Sequence, residues 1–169
     1  MTVIADTSPL NYLVLIDAVH VLPALFGRVI IPEAVLRELS AEGTPPEVRT
    51  WISQMPEWLS VRGAHIRLPD ARLEGLGAGE REAIALALED PAGARLIMDE
   101  AKGRQEAARR QLRFIGTLGV LDKAAAAGLI DVASCIGRLL RTNFHVTPDL
   151  LKTLLENDLR RRAARPSNR

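Results

Sequence analysis

The sequence contains very little cysteine and histidine. Its 169 residues include one cysteine, Cys135, and three histidines, His20, His65 and His145, which are far apart in the chain. A single cysteine cannot form an internal disulfide, and histidines this scattered do not show the spacing of zinc ligands. We therefore predict a protein of the reducing cytoplasm, with no disulfide framework and no zinc site.

Long apolar runs and glycine-rich nucleotide motifs are also missing. No apolar stretch approaches the roughly 20 residues that span a bilayer. The N-terminal residues MTVIADTSPL have neither the basic start nor the small-residue cleavage site of a signal peptide. The chain has no GxGxxG or GxxxxGK[ST] pattern. We therefore expect a cytoplasmic protein that has no membrane anchor, no dinucleotide site and no P-loop.

The composition is that of a globular protein. Hydrophobic residues make up 47% of the chain and charged residues 25%, which suits one domain with a sizeable core. The net charge of +1 gives no general nucleic-acid signal, but arginines crowd the end of the chain: Arg160, Arg161, Arg162, Arg165 and Arg169. We predict one domain over residues 1–160 and a basic, disordered tail over residues 161–169, which could also contact RNA phosphates or an acidic partner.

Short β-branched runs alternate with helix-forming segments. Strands are predicted at residues 3–5, 28–31, 58–61, 95–98 and 113–115, and helices after Pro9 and Pro32 and over residues 46–55, 79–88, 102–111, 117–127, 132–141 and 148–161. We expect Thr7 or Ser8 to cap the first helix, a turn at residues 20–27, and a long loop at residues 63–79 that borders the site. The alternation favours an α/β fold with a mainly parallel sheet and helices on both faces.

Carboxylates stand where the predicted strands end or where the following helices lie: Asp6, Glu38, Glu80, Glu82, Asp99 and Glu100. Carboxyl ends of parallel strands share one edge of a sheet, so most of these acids should meet there. Helix capping and the helix dipole explain each acid taken alone. Several close carboxylates repel one another, however, and a hard divalent cation would neutralise them. Together they indicate a site for one or two Mg²⁺ or Mn²⁺ ions, which suits phosphodiester hydrolysis without a serine, cysteine or histidine nucleophile.

These residues resemble the PIN-domain ribonucleases, and within them the VapC-like toxins of prokaryotic toxin–antitoxin systems. The resemblance lies in Ile4-Ala5-Asp6-Thr7-Ser8-Pro9, in Val29-Ile30-Ile31-Pro32 with Glu38, in Gly79-Glu80 before an alanine-rich helix, and in Leu96-Ile97-Met98-Asp99. It continues through Ile115-Gly116-Thr117-Leu118-Gly119-Val120-Leu121 and Ala127-Gly128-Leu129-Ile130, which are typical of an uncharacterised subgroup. The resemblance covers roughly residues 2–160.

The resemblance implies a three-layer α/β/α fold of about five strands in the order 3-2-1-4-5, with Asp6 and Asp99 side by side. It implies that Asp6, Glu38, Glu80 and Asp99 are catalytic. Asp6, Asp99 and Glu80 would bind the metal, with Glu82 a competing ligand because Glu80 replaces the usual Asp. The supporting residues would be Thr7, Ser8, Glu100 and Thr117.

The implied activity is Mg²⁺- or Mn²⁺-dependent cleavage of single-stranded RNA by a toxin that has a cognate antitoxin and forms a homodimer. A basic helix after Asp99 could contact RNA phosphates through Lys102, Arg104, Arg109 and Arg110, although a solvated helix face is the simpler interpretation. Alternatives are a nuclease without an antitoxin and a PIN-like binding module that has lost activity. A haloacid dehalogenase phosphatase is disfavoured, because Ser8 stands where that family needs a second Asp.

Overall fold

The core of the molecule is one sheet of parallel strands. A computed structural model describes residues 1–65, 73 and 75–164 and contains β1 (Thr2–Ala5), β2 (Val29–Pro32), β3 (Leu59–Arg62), β4 (Ala94–Ile97) and β5 (Arg113–Ile115). The strands lie in the order β3-β2-β1-β4-β5, and all four neighbouring pairs are parallel. The predicted sheet order is therefore confirmed, and it puts β1 between β2 and β4.

Helices cover both faces of the sheet: α1 (Thr7–Leu15), α2 (Val21–Phe26), α3 (Glu33–Leu39), α4 (Pro46–Ser53), α5 (Ala78–Leu88), α6 (Ala101–Arg109), α7 (Thr117–Ala126), α8 (Val132–Leu139) and α9 (Pro148–Ala164). Val3 and Ala5 of β1 point into one apolar cluster, with residues of α1 to α4 and α7 to α9. Ile4 points into the other, with α5 and α6. The period of two along β1 thus separates two hydrophobic layers, as the three-layer fold requires. Among the helices described, none has the length and apolar composition needed to cross a membrane.

Two local predictions near the N-terminus are wrong. Residues 20–27 contain the short helix α2, which ends at Gly27, where φ is +73°, a conformation that glycine adopts without strain. Helix α1 begins at Thr7 with Asp6 as its N-cap, so neither Thr7 nor Ser8 is the cap. The Thr7 hydroxyl instead donates to Glu38, 31 residues away in the chain. A long-range partner has replaced the local one.

The C-terminal helix is longer than predicted. Helix α9 continues to Ala164, so residues 161–164 are helical rather than part of a tail. Ion pairs explain the extension, because Arg161 contacts Asp122 at 2.7 Å and Arg162 contacts Asp158 at 2.6 Å and also Asp131. Residues 165–169, and residues 66–72 and 74 of the predicted loop, lie outside the described part of the chain.

Candidate active site

Asp6 lies at the carboxyl end of the central strand. Its backbone N–H donates to the Ile97 carbonyl of β4 at 2.9 Å, and only 3% of the residue is exposed. Burial raises the pKa of Asp6 to about 7, against the lowering effect of the Thr7 backbone N–H. The nearby charges of Glu80, Glu38 and Asp99 raise it further. Asp6 is thus a buried acid surrounded by other acids.

Glu38 reaches the same point from α3. Its Oε2 accepts a hydrogen bond from the Thr7 hydroxyl, and its Oε1 accepts one from the Gly79 backbone N–H at 3.0 Å. Both carboxylate oxygens are therefore held, one by the start of α1 and the other by the start of α5. Glu38 joins three elements that are distant in sequence.

Gly79 allows these acids to approach each other. A Cβ atom placed on Gly79 would lie 2.8 Å from Glu38 Oε2 and 2.9 Å from Asp6 Oδ1, closer than real Cβ contacts allow. The two carboxylate oxygens therefore meet over the bare Cα of Gly79. Any side chain at this position would push one of them away.

Glu80 and Glu82 lie on different sides of α5. Glu80 Oε2 accepts from the Gly77 backbone N–H at 2.8 Å, whereas Oε1 is buried against Gly103 and accepts no hydrogen bond of normal geometry from the described residues. Burial raises the pKa of Glu80, and the charges of Glu100 and Glu38 add to the effect. The backbone N–H groups of Gly77 and Gly103 oppose it.

Glu82 points to the start of α3. Its Oε2 accepts the Ala34 backbone N–H at 2.8 Å, and its Oε1 lies 3.3 Å from an Arg37 guanidinium nitrogen. The glutamate therefore caps one helix from another. The structure brings Asp6, Glu38 and Glu80 together and turns Glu82 away from them.

Asp99 lies beyond the end of β4 and is fixed by Thr117. Its Oδ1 accepts the Thr117 backbone N–H at 2.7 Å, and its Oδ2 accepts the Thr117 hydroxyl at 2.6 Å. Burial raises the pKa of Asp99, while the two Thr117 bonds and the charge of Arg104 lower it. A Cβ on Gly116 would lie 2.9 Å from Asp99 Oδ1, so a second glycine leaves room for a second acid.

The other predicted residues fall into two groups. Ser8, Glu100 and Arg104 line a cleft beside Asp99. Arg109 and Arg110 instead pair with the buried Glu106, at 3.4 and 2.8 Å. Lys102 is exposed on α6. The basic helix is therefore divided, with Arg104 directed to the site region and two arginines used to neutralise a buried acid.

Sequence reasoning gave no structural role to the glycines beside the carboxylates and missed the aromatic wall of the cleft. Gly79, Gly103 and Gly116 each lie against a site carboxylate. Gly79 and Gly116 directly precede Glu80 and Thr117 in sequence, which was an available signal. Tyr12, Phe114 and Phe144 come from three separate segments, so no local pattern could have connected them.

A hard divalent cation fits the chemistry of this site. The acids Asp6, Glu38, Glu80 and Asp99 supply only carboxylate oxygens, and the buried Glu80 Oε1 accepts no hydrogen bond of normal geometry from the described residues. Within residues 1–65, 73 and 75–164, no three His, Cys, Asp or Glu side chains form a group that could hold a metal in the conformation described. Mg²⁺ does not need such a cage, because it keeps several waters and binds through one or two carboxylates.

The fold and the acidic edge define an α/β protein of the kind that supports nuclease chemistry. A family model described as PIN domain matches residues 2–158. The chain therefore belongs to the PIN-domain family, whose members are typically metal-dependent nucleases. No curated protein and no solved structure matches the chain.

Proposed function

We propose that this chain is a Mg²⁺- or Mn²⁺-dependent endoribonuclease that hydrolyses phosphodiester bonds of single-stranded RNA. The observation that carries the proposal is the placement of Asp6, which is 3% exposed and whose Oδ1 lies beside Glu38 Oε2 over the bare Cα of Gly79. Burial raises the pKa of Asp6, and the charges of Glu80, Glu38 and Asp99 add to this effect. A protein that gathers acids at this energetic disadvantage gains stability when a cation binds there. The PIN-domain membership supports nuclease chemistry at that cation.

The four acids divide into two roles. Glu38 and Asp99 have both oxygens held by donors from Thr7, Gly79 and Thr117, so their orientation is fixed. Asp6 and Glu80 would hold the ion, because Asp6 is almost fully buried among the other acids and the buried Glu80 Oε1 accepts no hydrogen bond of normal geometry from the described residues. When bound, Mg²⁺ or Mn²⁺ supplies an activated water and neutralises charge on the attacking and leaving oxygens.

The proposed biological role is that of a VapC-like toxin in the cytoplasm, inhibited by an antitoxin and paired as a homodimer. The toxin assignment rests on resemblance alone, through the motifs that contain Asp6, Glu38, Glu80 and Asp99. The dimer is proposed from the resemblance, and Leu159 of α9, which is 66% exposed, is an apolar side chain available for the subunit contact. Light scattering of wild-type protein and Leu159→Glu tests the dimer, which the charge should weaken.

The nuclease proposal is tested with a mixed RNA pool, purified protein and either Mn²⁺ or EDTA. Asp6→Asn keeps the shape of the side chain and removes its charge. Glu82→Gln is the matched control, because it also removes one carboxylate near the site, and the Glu82 carboxylate contacts α3 instead of the other acids. We expect Mn²⁺-dependent cleavage by wild-type protein and by Glu82→Gln, and none by Asp6→Asn.

Two results would contradict the proposal. Cleavage that persists in Asp6→Asn at the wild-type rate would place the activity at another site or in a contaminant. Absence of both cleavage and Mn²⁺-dependent stabilisation in the wild-type protein would favour the binding module that has lost activity.

A further inference from the structure

A cleft of about 580 Å³ opens beside Asp99 on the β5 side of the acidic edge. Its walls come from α1, from the ends of β4 and β5, from α6 and α7, and from the segment that leads into the first turn of α9. The side chains that matter below are Tyr12, Arg104, Phe114, Asn143, Phe144 and His145. This volume falls within the range of small-molecule sites, roughly 300–1,000 Å³.

The cleft concentrates the aromatic residues of an aromatic-poor chain. The sequence contains six Phe, Trp and Tyr residues, and three of them, Tyr12, Phe114 and Phe144, line this one cleft. Tyr12 and Phe144 pack edge to face, with ring centroids 4.9 Å apart and planes at 83°. The Tyr12 hydroxyl donates to Asn143 Oδ1 at 3.1 Å. The rings are thus held in place and do not merely fill space.

The charges in the cleft favour a neutral ligand group with polar edges. Asp99 and Glu100 line the cleft, so a phosphate inside it would be repelled. Carboxylates do accept hydrogen bonds from the N–H groups of a nucleobase. The cleft also contains Arg104, whose guanidinium carbon lies 5.1 Å from the centroid of the Phe114 ring. A cation at this position can meet a phosphate of the strand that leaves the cleft.

We propose that the cleft binds one unstacked base of the RNA, next to the phosphate at the acidic edge, and that Arg104 contacts the backbone there. This inference rests on the proposed function, since it takes the ligand to be single-stranded RNA. Aromatic side chains bind bases by stacking, which requires a base that is not already stacked in a duplex. Such a site would accept a base of a single strand but not a base stacked within a helix.

The test compares RNA with and without bases at constant backbone charge. Fluorescein-labelled ten-mers of oligo(U), oligo(A) and abasic ribose phosphate are titrated into Asp6→Asn protein with Mg²⁺, and anisotropy is recorded. We expect oligo(U) or oligo(A) to bind about tenfold more tightly than the abasic ten-mer, within the range for stacking of one base. We call the affinity for the base-containing ten-mer divided by the affinity for the abasic ten-mer the base ratio. Phe144→Leu should bring this ratio close to one, and so should His145→Ala, which replaces an exposed side chain of the cleft.

Phe26→Leu is the matched control, because Phe26 is partly buried in α2 and does not line the cleft. It should leave the ratio unchanged. Arg104→Gln should weaken binding of all three ten-mers alike and reduce the salt slope by about one. Arg28→Gln controls for the loss of one positive charge, since Arg28 precedes β2 at the amino-terminal end of the strands, away from the acids.

A ratio near one in the starting protein would overturn the inference and leave the cleft to a protein partner. A ratio that survives both Phe144→Leu and His145→Ala would also overturn it. Failure of the nuclease proposal is distinguishable from these outcomes. If the wild-type protein cleaves RNA but the affinities for base-containing and abasic ten-mers are equal, only the base site is refuted. If the bases raise the affinity through the cleft residues but the wild-type protein does not cleave, only the nuclease proposal is refuted.

Discussion

Replacing Asp6 by Asn should stabilise the metal-free protein at alkaline pH while it abolishes metal binding. The folded-state pKa of about 7 lies above the ordinary value of 3.8. Between these values the folded protein binds more protons than the unfolded chain, so its stability falls as the pH rises. The contribution of Asp6 is fully present below about pH 4 and is lost as the pH passes through about 7.

The size of the effect follows from the shift. One pKa unit corresponds to about 1.4 kcal/mol, so the ionised Asp6 lowers the free energy of unfolding by something on the order of 4 kcal/mol at pH 8. Asn removes this term and keeps a side chain that suits an N-cap. A smaller pH slope remains in the variant, because burial also raises the pKa values of Glu80 and Asp99.

The assay is urea unfolding in EDTA at pH 5 and pH 8, followed by the fluorescence of Trp51 and Trp58. The wild-type protein should lose stability from pH 5 to pH 8, and Asp6→Asn should lose much less. Mn²⁺ at 100 times its dissociation constant should then stabilise the wild-type protein at pH 8 by about 2.7 kcal/mol and leave the variant unchanged.

Asp131→Asn serves as the control. The Arg162 hydrogen bond lowers the pKa of Asp131, so this acid is ionised in both folded and unfolded chains from pH 5 to pH 8. Its replacement should reduce stability equally at both pH values, because its stabilising effect is lost only as the pH falls below the ordinary value. If wild-type protein and Asp6→Asn show the same pH slope, the reasoning about Asp6 is refuted.

Three further substitutions test the surroundings of the acids. Gly79→Ala should reduce cleavage at least tenfold and destabilise the fold by about 1–3 kcal/mol, because the added methyl group overpacks the site. Gly137→Ala is the control and should stabilise the protein by about 0.5–1 kcal/mol, because Gly137 lies in a helix with open space around it. Thermal unfolding measures the stability of each variant, and cleavage rates measure its activity. Thr117→Val should remove the hydroxyl that donates to Asp99 Oδ2, destabilise the fold by about 1–3 kcal/mol and reduce cleavage. Thr117→Ser keeps the hydroxyl and should keep cleavage. Glu82→Gln should weaken the cap on α3 and lower the melting temperature, yet keep Mn²⁺ binding in calorimetric titration.

Most of the fold follows from local patterns, and the exceptions have identifiable causes. The β-branched runs and the strand-to-helix alternation predict all five strands and their layers. Helix α2 escaped prediction because it has six residues, with Pro23 among them. The cap of α1 was misassigned because Thr7 bonds to a residue of α3, and a local motif does not reveal such a partner.

The sequence also predicts which edge of the sheet carries the candidate site, but not every side chain in it. Acids at strand ends indicate the edge at which they meet, and Asp131 caps α8 through the Ser134 N–H at 2.9 Å, as local capping rules predict. The ambiguity between Glu80 and Glu82 could have been reduced, because residues two apart on a helix point about 200° apart. The cleft could not be predicted, since Tyr12 and Phe144 meet only after α1 and the segment before α9 are both in place.

The central position of β1 has a consequence during synthesis. Strand β1 is made before both of its neighbours; it gains β2 early, through Val3 and Val29, but pairs with β4 only after residues 94–97 have been made. Until then a hydrophobic strand presents an unpaired edge to other nascent chains, which is a known route to aggregation. Expression at low temperature or with a chaperone that shields this edge should therefore raise the yield of folded protein.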